Sequence, residues 1–199
     1  MKRAPIAIAG SAIAALVIAG CGSTFPDATP PPASTSSAPK DYGAPRVQTP
    51  LTVDRYRMNP CGMVPTGALS SLGFTKPGQP ADQVKGADGK NVRMCNWNSG
   101  RKALGIGLLG QGLKAQYQNK ALIPETFKKF EPTTINGYPA LHFEGGKESQ
   151  NGVYNLDLGL SDNQMALIQA NDTSSLENAK KIAETVAKAV VQQAKSGGR

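Results

Sequence analysis

Few residues in this chain are equipped for chemistry. Among its 199 residues there are three cysteines, Cys21, Cys61 and Cys95, and a single histidine, His142. Any general-base mechanism or imidazole metal site would therefore rest on His142 alone. Neither a G-x-S-x-G nucleophile turn nor an H-E-x-x-H pair accompanies it. Its setting, mid-strand beside Phe143, is that of an ordinary structural histidine, with contact to a ligand or partner as the residual role. Gly105-Ile106-Gly107-Leu108-Leu109-Gly110 fits the dinucleotide pattern G-x-G-x-x-G. That pattern works only between parallel strands with a crossover helix. Here the run follows a hairpin-like turn, so a glycine-rich strand is expected and no nucleotide cofactor. Asp82, Asp88, Asp157 and Asp162 read as loop or turn carboxylates without calcium-loop spacing. No catalytic residue, metal or cofactor is expected.

The N-terminal residues carry a clearer pattern. Lys2 and Arg3 precede an apolar run, Ile6 to Ala19, of about 14 residues. That length suits the core of a secretory signal and falls short of the roughly 20 residues of a spanning helix. The run ends at Ile18-Ala19-Gly20-Cys21, which resembles the signal of a bacterial lipoprotein. The resemblance implies loss of residues 1–20, an extracytoplasmic location, and attachment to the cell membrane through acyl chains on Cys21. Each buried methylene contributes ~0.8 kcal/mol, so two or three chains on one cysteine hold firmly where a single chain would not. Residues 21–50 then read as a disordered linker: Pro30-Pro31-Pro32 and the Ser/Thr-rich stretch to Pro39 offer almost nothing to bury.

In an oxidising compartment, Cys61 and Cys95 are an even pair, and a disulfide between them is expected. A redox couple or a metal pair competes with this reading, but both lack C-x-x-C spacing and a nearby histidine. The formal charge of +8 includes Lys2 and Arg3, so the chain beyond residue 20 carries +6. The cations are scattered rather than blocked, as on a solvated surface, with attraction to anionic headgroups as the lesser reading. No nucleic-acid motif is present.

Residues 51–199 are expected to form one domain. Pro65 to Gly73 reads as a short helix with proline early and glycine just past its end. Lys76 to Lys90 reads as a loop inside the disulfide. Val92 to Asn98 alternates, with Cys95 and Trp97 on one face and Val92, Met94 and Asn96 on the other; Ala103 to Leu109 is its hairpin partner. Leu113 to Ile123 is a helix stopped by Pro124. Asn136-Gly137 between Thr133–Ile135 and Tyr138–Glu144 is a strong hairpin signal. Tyr154, Leu156, Leu158 and Leu160 mark a half-buried strand that turns at Ser161–Gln164 into Met165 to Ala170. The last element is a helix with Ser174 and Glu177 as capping box and one apolar stripe from Leu176 to Val190. The fold class is α+β: an antiparallel β-sheet of hairpins packed by helices, with a C-terminal helix and one disulfide.

Pro60-Cys61 before a short helix ending in Leu72-Gly73-Phe74, and Cys95-Asn96-Trp97 on the next strand, resemble the actinobacterial small lipoproteins of domain-of-unknown-function family 3558. The likeness covers Asn59 to Val191 and implies a stapled envelope lipoprotein with no assigned activity. Ile135 to Ala140 also resembles a segment of Mog1/PsbP-like lipoproteins. The expected function is a non-enzymatic binding or interaction module of the cell envelope, meeting an unknown envelope protein or amphiphilic ligand. Its contact surface is expected on the sheet face free of the C-terminal helix, or near Trp97 and the disulfide. A lipid carrier would instead need an apolar cavity between sheet and helix. A small hydrolase would need a pocket gathering His142 with two or more carboxylates.

Overall fold

The computed structural model describes residues 40–85, 91–145 and 152–197. The signal-like run, Cys21 and the linker up to Pro39 lie outside the described residues, as does Asp88.

Seven strands form one antiparallel sheet: β1 (Gln79–Lys85), β2 (Asn91–Ser99), β3 (Lys102–Leu109), β4 (Phe127–Ile135), β5 (Tyr138–Gly145), β6 (Val153–Ser161) and β7 (Gln164–Asp172). Their order is β1-β2-β3-β7-β6-β5-β4. Two hairpin meanders are thus joined by the segment that carries α2 (Lys114–Leu122), and β7 returns to lie beside β3. At the β4–β5 turn, Asn136 (φ 50°) and Gly137 (φ 85°) both take the left-handed conformation that the Asn-Gly pair predicts.

One face of the sheet, the helix face, is closed by α3 (Leu176–Ser196). Ile182, Ala183, Val186, Ala187, Val190 and Val191 recur at helical spacing and are at most 3% exposed. They pack on Leu104, Ile106, Tyr154, Leu156, Leu158 and Ile168 in the main core. Cys95 and Trp97 join this core, whereas Val92 and Met94 join a smaller cluster on the outer face, as the alternation of β2 requires. The short helix α1 (Thr66–Ser71) and the 3-10 turn Pro60–Met63 cover the remaining end of the helix face.

Three elements depart from expectation. Part of the stretch Lys76–Lys90 is the strand β1, whose bulge lies between Ala81 and Val84. Pro80 hides it in the sequence, and an edge strand tolerates proline because one of its sides needs no donor. The cap of α3 is Ser175, whose hydroxyl accepts from the Asn178 N–H at 3.2 Å. Ser174 is diverted to Asp172 at the end of β7, where its N–H and hydroxyl both bind Oδ1. Finally, packing begins before Leu51, because Val47 is buried in the core and its N–H reaches Asp162 Oδ1.

Candidate functional site

Cys61 and Cys95 are bridged, with Cα atoms 5.1 Å apart. The bridge ties the turn Pro60–Met63 to β2 and is floored by Trp97, which is 3% exposed. Gly78 closes over both: a Cβ there would run into Cys95 Sγ and the Trp97 indole. Trp97 is therefore core filler and offers no contact surface.

His142 lies on the helix face of β5, 2% exposed, with its ring stacked 3.9 Å from that of Tyr154. Nδ1 faces Glu131 Oε2 at 3.0 Å across the β4–β5 ladder, and Nε2 is buried without a partner. The hydrogen bond with His142 holds the Glu131 carboxyl below its ordinary value. Burial, reinforced by the charges of Glu184, Glu131 and Glu177, pushes the Tyr154 hydroxyl up to about 12. The arrangement brings one carboxylate to the imidazole, which is buried while the Glu131 carboxylate stays exposed.

The outer face is built differently. One rung crosses six strands through the pairs Asn96–Gly105, Gly105–Gln169, Gln169–Asn155, Asn155–Phe143 and Phe143–Phe130. Its middle is a carboxamide relay: Gln169 Nε2 donates to Asn155 Oδ1 at 3.0 Å, and Asn155 Nδ2 to the Phe143 carbonyl at 3.5 Å. The two glycines of β3 make room for this layer; a Cβ on Gly107 would strike the Met94 sulfur, and one on Gly105 would press Asn96. The glycine pattern thus serves cross-strand packing in an antiparallel sheet.

Above β5 and β6 lies α2, anchored by Leu113, which packs on Gly159, and by Gln116, whose Nε2 donates to Asp157 Oδ2 at 2.6 Å. Asp157 is fully buried mid-strand, not in a turn, and its Oδ1 has no partner. Burial pushes its carboxyl up to about 7, against the lowering effect of the Gln116 hydrogen bond. Beside this acid an aromatic cluster emerges at the surface. Tyr117 meets Phe130 edge-on at 5.0 Å, and Phe127 meets Phe130 and Phe143 at 5.4 and 6.1 Å. Lys120 Nζ stands 5.8 Å over the Phe127 ring. Next in the chain, Leu122 and Ile123 are 62% and 43% exposed.

A family profile described as "Protein of unknown function (DUF3558)" matches residues 16–193. The chain belongs to the DUF3558 family. No curated protein matches it.

In this DUF3558 chain the space between sheet and α3 is filled by the side chains of the main core. Sequence reasoning missed Asp157 as a buried acid and missed the aromatic cluster. The alternation of 153–160 does place Asp157 opposite Leu156 and Leu158, but only the path of α2 buries it. Tyr117, Phe127, Phe130 and Phe143 meet because the β4–β5 register sets Phe130 against Phe143. That register could have been counted outward from Asn136-Gly137.

Proposed function

We propose that this DUF3558 chain is an extracytoplasmic lipoprotein, held to the cell membrane by acyl chains on Cys21. It works as a binding module rather than as an enzyme, and its partner is a polypeptide of the cell envelope. The observation that carries the reading is the patch of Leu122, Ile123, Phe127, Phe130 and Phe143 at the edge of the outer face. Two of the four exposed large hydrophobic side chains among the described residues are adjacent there. Exposed apolar side chains a few residues along the chain from half-buried aromatics, with a lysine over one of the rings, have the make-up of a protein contact surface. The titratable groups in the interior stand apart by contrast, His142 on the helix face and Asp157 on the outer face. The apolar run ending in Ile18-Ala19-Gly20-Cys21 supports the anchor, and the family match begins near its end, at residue 16, and includes Cys21.

The test is crosslinking in intact cells with a photoreactive phenylalanine placed at Leu122, at Ile123, or at the exposed α3 positions Lys188 and Gln192. The expected result is a discrete heavier species from Leu122 and Ile123 and none from α3. Equal labelling from all four positions, or none from Leu122 and Ile123, overturns the reading.

A further inference from the structure

On the helix face, away from the aromatic patch, α1 and α3 diverge around a cleft of about 360 Å³. Its floor is Leu72 and Ile182, and its polar walls are Ser70 and Ser71 of α1, Lys102 of β3, and Asn178 and Lys181 of α3. No carboxylate lines it. Lys102 is half-buried, and its ammonium is pinned at the rim by donating to the Leu72 carbonyl at 3.2 Å. Lys181 approaches from the other wall, and among the described residues neither lysine is in an ion pair. Lys102 acts electrostatically on Asp172, whose carboxylate is engaged by the N–H and hydroxyl of Ser174 and by the Asn178 side chain. Asn178 belongs to the first turn of α3, so the positive end of a helix of 21 residues also lies at this wall.

Two ammonium groups outside any ion pair among the described residues, two hydroxyls and a carboxamide shared with Asp172, around a small apolar floor, match a phosphate carried on a short polyol. The ammoniums take the phosphate as point charges, the hydroxyls and carboxamide take the polyol, and the floor takes its carbon face. The volume lies in the range of small-ligand sites, which is about 300–1,000 Å³. We propose that this cleft binds the phosphate of a small organic phosphate such as a glycerophosphate. The source is either a phospholipid headgroup or a soluble phosphate ester.

The full chain carrying Cys21→Ser, which has no acyl group of its own, is titrated calorimetrically with glycerol 3-phosphate, with glycerol as the control. Saturable binding is expected for the phosphate alone. Lys181→Gln should weaken it about tenfold, and Lys102→Gln similarly. Lys114→Gln, which removes equal charge from the outer face, should leave it unchanged. Because Lys102 also bonds the end of α1, the exposed Lys181 is the variant that decides if Lys102→Gln fails to fold. Sedimentation with phosphatidylcholine vesicles, with and without phosphatidylglycerol, then separates the sources. Binding to phosphatidylglycerol that is lost in Lys181→Gln assigns a lipid headgroup. Binding of the soluble probe alone assigns a soluble ester. No saturable heat with glycerol 3-phosphate, or equal weakening by Lys114→Gln, overturns the proposal.

Discussion

Asp157 shows how one side chain couples the outer face to pH. Its carboxyl titrates near 3.8 in the unfolded chain and at about 7 in the fold, because burial penalises the charged form. Between those values the folded state holds more protons than the unfolded one, so stability falls as pH rises through that window and is fully present below it. Three units correspond to on the order of 4 kcal/mol. Asp157→Asn keeps an acceptor for Gln116 and removes the charge. Urea unfolding at pH 4.5, 6 and 8 should show the variant gaining on the parent as pH rises. A gap that stays constant with pH would sink this account. Asp54, Glu131 and Asp172 have depressed carboxyls and act in the opposite sense at lower pH, so the difference between the two proteins is the quantity to read.

At the scale of elements, the bridge and β2 decide how the first third of the domain is held. The chain-entropy estimate for a loop of about 35 residues is roughly 3.5–4 kcal/mol. Cys61→Ala with Cys95→Ala should lower unfolding stability by that order, checked by denaturant titration. A loss under about 1 kcal/mol would mean that packing of the 3-10 turn and not the bridge holds Pro60–Met63. Gly78→Ala tests the same corner from outside: its methyl must displace Sγ and the indole, at a cost of about 1–3 kcal/mol. An unchanged midpoint would show that Trp97 has room to move. The strands β2 and β6 were legible because each alternates, β3, β5 and β7 because a turn sets each beside a neighbouring strand, and the pairing of Cys61 with Cys95 followed from an even count. The strand β1 was not, since Gly78, Pro80 and the flanking lysines imitate a loop and an edge strand leaves only half a pattern. The cap of α3 slipped by one residue because Asp172, on another element, competes for Ser174.

For the whole molecule, the two faces of the sheet have different fates. The helix face was legible, because the stripe of α3 demands an apolar partner and the Leu156–Leu160 alternation supplies it. The outer face was not, because its cover, α2, buries no residue of its own and is placed by the long connection between β3 and β4. A domain so divided, closed on one side and carrying an aromatic patch on the other, suits a tether that leaves it free to turn. Composition predicts such a tether in residues 21–50, and the described packing begins at Val47, so the proposed anchor is expected to act on position and not on the fold. Cys21→Ser should therefore move the protein from the membrane to the soluble fraction of fractionated cells. The unfolding midpoint should match that of the parent, since the core and the bridge both lie beyond residue 46. A variant that stays with the membrane would show that residues 1–20 are retained as the anchor. A variant that is released but unfolds at a lower midpoint would show that the acylated end supports the domain, and would end the division between tether and fold.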